Sequence, residues 1–362
     1  MQDKKIQERK ESMKKRLLGL LVGMAMVVSM IGCGGGDTAE SKEASGTEAA
    51  DSEEDAAKDD AEADSGADGT LMKAEDIVVC FANKGQNAWL EQQSIGVKEA
   101  CKDLGLPDPT VVYADSQENA ESQVQAIEDF MSLGANVIII DPISSDVVKQ
   151  ALQNAKDEGV VVIDVDSVGG LNDVTNCSIG LDEYTASYEG AEKFCQDYLE
   201  KGDGVIIIAG NQGDTNGENR LKGMTEACEA NGIEVLGSQY TDWTAAKTTA
   251  AMEDFITSKG DEIKGVLVPS DDMGLGAITA LEQAGMIDNV KMMGYGGFQV
   301  ALDAIADGKM SMTVGMHPYD CGYQAVENAV NILTKGEEPK EHFIDVGTDL
   351  ITTENYQEFK GF

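Results

Sequence analysis

The sequence predicts an α/β protein of two doubly wound parallel-sheet lobes joined by a multi-strand hinge. Three observations predict it. From Asp76 onward, short runs rich in Val and Ile alternate with segments of helical spacing. Those runs are apolar throughout rather than every second residue, which marks strands covered on both faces, as in parallel sheets. The whole alternation then breaks near Asp182 and starts again, so the pattern describes two similar lobes.

In order, Ile77 to Phe81 reads as a buried strand, and Val97, Ala100, Cys101 and Leu104 follow at helical spacing. Val111 to Tyr113 is the next strand. Ala120, Val124, Ile127 and Met131 line a helix face that stops at Gly134. Val137 to Ile140 is a strand, Ser144-Ser145-Asp146 caps a helix running through Ala155, and Val160 to Val165 closes the first set. The second set places helices at Ser187–Leu199, Glu218–Ala230, Thr248–Ser258, Leu275–Ala284 and Ala325–Leu333. Its strands are Val205–Ile208, Val235–Leu236, Val266–Val268, Lys291–Gly294 and Met310–Met316, with a terminal strand at Phe343–Val346. The expected organisation is a first lobe of 72–182 and about 317–344, and a second of about 183–316 and 345–362.

Ahead of the lobes, Lys14, Lys15 and Arg16 precede an apolar run from Leu17 to Cys33. The run is shorter than the about 20 residues a membrane span needs. A basic start, an apolar stretch and small residues before a cleavage point describe an export signal, with Met13 as the more typical start. Ser29-Met30-Ile31-Gly32-Cys33 resembles the lipobox of bacterial lipoproteins, with Met30 in the place usually held by Leu. The resemblance implies that residues 1–33 end in a lipidated Cys33, which anchors the chain to the outer face of the cytoplasmic membrane, at the cell surface. Residues 34–71 follow. Between 34 and 70 there are 13 Asp and Glu against two Lys and almost no large apolar side chain. Such a tract cannot bury enough surface to offset ordering, and it reads as a self-repelling linker.

The 362 residues carry 27 basic and 66 acidic side chains, a net charge of −39. Nucleic acid and anionic lipid both demand cationic surface, so that balance excludes them as partners. Seven cysteines are present. Besides Cys33, those at 80, 101, 177, 195, 228 and 321 lie mostly within apolar patterns and lack C-x-x-C spacing. Buried free thiols are the expected state, ahead of the disulfides that an exported chain permits. No metal or cofactor is expected.

Open α/β sheets bind ligands beyond the carboxyl ends of their strands. In the first lobe those positions hold Asn83, Lys84, Gln86, Asn87 and Trp89, then Asp141, then Asp166 and Ser167. In the second they hold Asp214, Thr215, Asn216 and Glu218, then Trp243, then Ser270, Asp271 and Asp272, then Tyr295. Aromatics and polar groups together suit a sugar: planar rings cover its C–H faces, and carboxylates or amides bind its hydroxyls. The chain's two Trp, one per lobe, lie in polar loop sequence; stacking on a ligand is their expected role, with core packing the alternative. Asp141, Asp271 and Asp272 precede helices, where capping and ligand contact both fit. Asp166 is the strongest carboxylate candidate.

Several blocks carry a family resemblance. They are Ile138-Ile139-Ile140-Asp141-Pro142, Val162-Ile163-Asp164-Val165-Asp166, Arg220-Leu221-Lys222-Gly223-Met224, Ser270 to Ala277, and Leu281-Glu282-Gln283-Ala284-Gly285. From about Asp76 onward the chain resembles the sugar-binding proteins of bacterial ABC importers, periplasmic binding proteins of type 1, and above all their ribose-binding members. The resemblance implies that Trp89 and Leu90 stand at two stacking Phe positions, Trp243 at a third, and Asp166 at a sugar-binding Asp. It also shows departures: Ser167 and Glu218 replace two sugar-binding Arg, Ser270 replaces Asn, Gly296 replaces Asp, and Met316 replaces Gln. Losing two guanidiniums removes rigid bidentate donors, so ribose itself is not the expected ligand.

The expected site is therefore Asn87, Trp89, Asp166, Ser167, Glu218, Trp243, Ser270, Asp271, Tyr295 and Met316. The implied function is capture of a monosaccharide or related polyol between two lobes of a monomer that delivers it to an ABC permease with its ATPase. A nucleoside, an amino sugar or another solute is the alternative ligand, and a chemoreceptor or histidine kinase the alternative partner. An enzyme is not expected: there are two His, no G-x-S-x-G and no H-E-x-x-H. A repressor of the same fold would need a DNA-binding motif ahead of Asp76, where the chain is acidic.

Overall fold

The computed structural model describes residues 71–114, 119–166 and 170–362. The expected export signal, Cys33, the acidic tract and Ser167 lie outside the described residues. Twelve strands are described. β1 is Val79–Asn83, β2 Thr110–Tyr113, β3 Val137–Ile140, β4 Val161–Val165, β5 Cys177–Gly180, β6 Gly204–Ala209, β7 Glu234–Tyr240, β8 Ile263–Leu267, β9 Lys291–Gly296, β10 Met312–Gly315, β11 Phe343–Asp345 and β12 Asp349–Thr352. The helices are α1 Ala88–Leu104, α2 Ala120–Ser132, α3 Ser145–Asp157, α4 Glu183–Tyr198, α5 Thr215–Ala230, α6 Ala245–Lys259, α7 Asp271–Gln283, α8 Gln299–Ala306 and α9 Pro318–Lys335.

The strands form two six-stranded sheets, in the orders β11-β5-β4-β3-β1-β2 and β12-β10-β9-β8-β6-β7. All pairings in the first sheet are parallel. In the second, only β12 runs antiparallel, beside β10. Each sheet is a doubly wound core whose order reverses between its first and third strands in sequence, β1/β3 and β6/β8. Crevices open at such reversals, outside the carboxyl ends of the strands.

The central strands are buried on both faces, which their sequences explain: Val137, Ile138, Ile139 and Ile140 of β3, and Val205 to Ile208 of β6, have no exposed surface. Helices cover both faces. α1 and α9 pack together against one side of the first sheet, with Val97, Cys101, Cys321, Ala325 and Val326 in the shared core. α2 and α3 cover the other side through Ile127, Phe130, Val148 and Leu152.

Among the described residues the chain passes between the sheets three times: after β5 at Leu181–Asp182, after β10 at Met316–His317, and after β11, which keeps Asp345 in the first sheet, at 346–348. Several elements differ from the sequence reading. β5 and β12 contain little Val or Ile and were not expected as strands, and α8 was not expected as a helix. α9 starts at Pro318 rather than near Ala325, because proline suits the first helical turn. α3 starts where Ser144 and Ser145 suggested, but Ser144 makes no side-chain cap bond.

Candidate functional site

The reversal in the first sheet places the residues after β1 beside those after β3. Asn83, the last residue of β1, is buried and donates from Nδ2 to Leu90 O at 2.9 Å. This fixes the short loop that carries Lys84. Lys84 Nζ lies 2.7 Å from Asp166 Oδ2 and 3.1 Å from Asp141 Oδ1, so one ammonium joins the ends of β1, β3 and β4. Burial opposes its charge, but the two carboxylates prevail and raise its pKa above the usual lysine range. Asp141 is 1% exposed. Its carboxyl is pushed up to about 7, mainly by burial, against the lowering effect of Lys84. Asp166 has φ of 61°, in the left-handed region that non-glycine residues rarely occupy, and such strain collects at functional sites. Lys84 keeps a third of its side chain exposed, so this cluster is open to a ligand.

The second lobe answers with a different arrangement. Glu183, in the first turn of α4, accepts from Arg220 Nε at 2.7 Å and from Nη2 at 2.6 Å. Its Oε2 also accepts from the Tyr295 hydroxyl at 2.6 Å. Arg220 Nη1 donates to Pro269 O at 2.9 Å, at the end of the segment following β8. The guanidinium lies over the Tyr295 ring at 4.3 Å and 5.7 Å from the Trp243 ring. Burial works against its charge, while Glu183 and, further off, Asp166 of the first lobe favour it. Asp166 thus acts electrostatically across the cleft. Burial and the Glu183 charge hold the Tyr295 hydroxyl well above its usual range.

Trp243 ends the loop after β7. Its φ is 56° and that of Asp242 is 49°. Its Nε1 donates to Asp214 Oδ2 at 3.0 Å, while Asp214 Oδ1 accepts from Asn216 and Gly217 N–H and caps α5. The indole packs tightly against Gly210, where an added Cβ would stand 2.3 Å from a ring carbon. Only glycine permits that approach. Trp89, in the first turn of α1, is half-buried and packs against the second-lobe core group that contains Tyr295 and Met316.

The other candidates divide. Asn87 caps α1 by accepting from Leu90 N–H at 2.9 Å. Ser270 is the N-cap residue of α7 and makes no side-chain cap bond. Met316 lies in the second passage, with Sδ 3.9 Å from Arg220 Nη2. Asp271 is fully buried and faces inward: Oδ1 accepts from Thr313 Oγ1 at 2.7 Å, and Oδ2 from Phe298 N–H at 2.9 Å. Burial pushes its carboxyl up to about 6 despite those bonds. Glu218 accepts from Gly213 N–H and from the Tyr240 hydroxyl, both at 3.0 Å. Lys84, Glu183 and Arg220 stand beside these candidates although the expected site did not include them. Lys84 stood among the strand-end residues and Arg220 within a family block, but only Glu183's position shows what Arg220 is for.

Two lobes joined by three passages, with charged and aromatic groups facing each other at the carboxyl ends of both sheets, define a two-lobed receptor that encloses a small solute. The sequence profile described as "Periplasmic binding protein domain" matches residues 77–338. The chain belongs to that family. The ribose import binding protein RbsB of Escherichia coli is 29% identical over 268 residues, 73% of this chain and 86% of its own length. The D-apiose import binding protein of Actinobacillus succinogenes is 28% identical over 288 residues, 79% of this chain and 91% of its own. Among solved structures, a periplasmic ribose ABC transporter protein from Conexibacter woesei superposes with a TM-score of 0.73 at 21% identity, covering 80% of this chain and 96% of that one. An Actinobacillus succinogenes solute-binding protein with bound D-allose gives 0.71 at 24% identity, covering 78% and 100%. These structures show the same fold.

Proposed function

We propose that the protein is an extracytoplasmic receptor, tethered through a lipidated Cys33, that closes on a neutral monosaccharide or related polyol and presents it to an ABC permease. The Lys84–Asp141–Asp166 cluster opposite Arg220–Glu183 carries this reading. Arg220 and Glu183 balance one to one, and Lys84 faces two carboxylates of which burial drives Asp141 toward its neutral form, so the cleft offers strong donors and acceptors without a large uncompensated charge. Hydroxyl groups, which donate and accept, match such a surface. Trp89 and Trp243 supply apolar planes for the C–H faces.

Of the expected ligand contacts, we assign Trp89, Asp166, Trp243, Ser270 and Met316 to the sugar and add Lys84 and Arg220. Asn87, Asp271, Tyr295 and Glu218 act behind them, as a cap, as buried bracing and as a loop clasp. An amine-bearing ligand rested on a free carboxylate at Glu218. The Glu218 carboxylate is already held by the Gly213 N–H and the Tyr240 hydroxyl, so a neutral sugar fits better. The names of the relatives, which speak of ribose and apiose import, agree with this class. Closure works by differential contact: a ligand touching both lobes favours the state in which they meet.

The test is a thermal-shift and tryptophan-fluorescence screen of the purified protein against D-ribose, D-allose, D-apiose, L-arabinose, myo-inositol, glucosamine and adenosine. A raised melting temperature with a changed Trp signal for a neutral sugar or polyol is expected. A response to glucosamine or adenosine alone would overturn the ligand class, and silence across the panel would overturn the sugar reading.

A further inference from the structure

One aromatic group outside the site just described crosses the cleft. Phe298 is the N-cap residue of α8, two residues beyond the end of β9, at the ligand edge of the second sheet. Its N–H is held by the buried Asp271 carboxylate at 2.9 Å. Residues 359–362 return over this point. Phe359, with Tyr356, packs against the second-lobe core. Gly361 lies against the backbone of Phe298 and Gln299 so closely that a Cβ there would stand 2.2 Å from Gln299 N. Phe362 then sets its ring edge-on to Phe298, with centroids 4.9 Å apart and planes at 65°. Its other neighbour is Trp89 of the first lobe, at 6.0 Å and 56°.

We infer that Phe362 is a positioning residue for the binding site: seated on Phe298, it bears on Trp89 across the cleft, sets the plane of that indole and favours the closed pair of lobes. The three rings form one chain from the braced second lobe to the first helical turn of the first. Tilted and edge-on pairs at these separations are favourable geometries. The Trp89–Phe362 pair joins groups on different lobes, so it favours their meeting in the sugar-free protein as well as in the loaded one. It therefore stabilises closure independently of the polar contacts to a solute. It also restricts the rotation of Trp89, which would otherwise be ordered at a cost on binding.

The experiment exploits the presence of only two Trp in the chain. In a Trp243→Phe background of the full protein, Trp89 is the sole indole. Its emission maximum and acrylamide quenching are measured without any sugar, for Phe362 and for Phe362→Ala, Phe362→Leu and Phe362→Tyr, with circular dichroism as the check on folding. Phe362→Ala is expected to red-shift the emission and to raise the quenching constant about twofold, with Phe362→Tyr restoring both and Phe362→Leu falling between. Unchanged emission and quenching in Phe362→Ala overturn the proposal, as does a Phe362→Tyr protein that behaves like Phe362→Ala. Should Phe362→Ala fail to fold, the Leu and Tyr variants decide by the same two signals. A second arm, in the Trp243 protein, rests on the sugar reading: the dissociation rates of D-ribose and D-allose should rise about three- to tenfold in Phe362→Ala, the span of one aromatic pair. The first arm uses no sugar, so its failure is distinct from failure of that reading.

Discussion

Arg220 and Glu183 meet as a two-pronged pair at the start of α5 and α4, with Nε to Oε2 at 2.7 Å and Nη2 to Oε1 at 2.6 Å. The geometry decides what each substitution does. Glu183 is 2% exposed and the Arg220 side chain 11%, so removing the arginine strands a buried carboxylate. Arg220→Ala should cost about 3–5 kcal/mol of stability, the range for breaking a buried pair from one side. Arg220→Lys should recover only part, because an ammonium cannot span both oxygens and the Pro269 carbonyl. Urea unfolding checks both. A loss under about 1 kcal/mol in Arg220→Ala would mean that water reaches Glu183 freely.

Asp141 gives a pH signature whose sign follows from its raised pKa. In the unfolded chain its carboxyl titrates near 3.8, and in the native protein at about 7. Between those values the native state holds a proton that the unfolded state has released. Stability therefore falls as pH rises from about 4 to 7, and levels beyond it. Asp271, at about 6, adds a slope of the same sign over a narrower window. Lys84 does not interfere, since its raised pKa lies above the range. Asp141→Asn should flatten the decline between pH 4.5 and 7.5 in denaturant titrations, and Asp271→Asn only the part below about 6. Parallel curves for wild type and Asp141→Asn would contradict this.

The sequence made the sheets legible where burial leaves a compositional trace. β1, β3, β4, β6 and β8 are dominated by apolar side chains because helices cover both faces. β5 reads Cys-Ser-Ile-Gly and β12 Asp-Leu-Ile-Thr. Each is a strand chiefly because a neighbour pairs with it, and pairing is not written in a local run. The site was legible to the same extent. Strand ends named Trp89, Asp166 and Trp243 by position alone. They could not show that Glu218 would turn to Tyr240, or that Asp271 would face Thr313 and Phe298, because those partners are distant in sequence. Arg220 and Glu183 are likewise a long-range pair, and only folding brings them together.

Gly210 sets the position of Trp243, so a single methyl group tests whether the indole lies in the site. Gly210→Ala places a carbon against the ring, and the side chain must tilt away or lose its bond to Asp214. Overpacking of this kind costs about 1–3 kcal/mol. The expected result is a lower melting temperature together with at least a tenfold weaker response to whichever sugar shifts the parent protein. Retention of full affinity alongside lowered stability would place Trp243 in the core instead.

The six described cysteines are all buried and free, and Cys195 and Cys228 face each other with their sulfurs 3.8 Å apart. Burial pushes Cys80 up to about 11 and both Cys101 and Cys177 up to about 12. At pH 8 these three thiols carry almost no thiolate, the reactive form, and no reagent reaches them without opening a core. Iodoacetamide should thus leave these six unmodified in the native protein over hours and add one group to each of the six after unfolding in guanidinium, read by peptide mapping. Four additions after unfolding, with the fragments of Cys195 and Cys228 missing two hydrogens, would show that the facing pair had oxidised. Rapid labelling of Cys80, Cys101 or Cys177 in the native state would show that the first lobe opens far more readily than its packing implies.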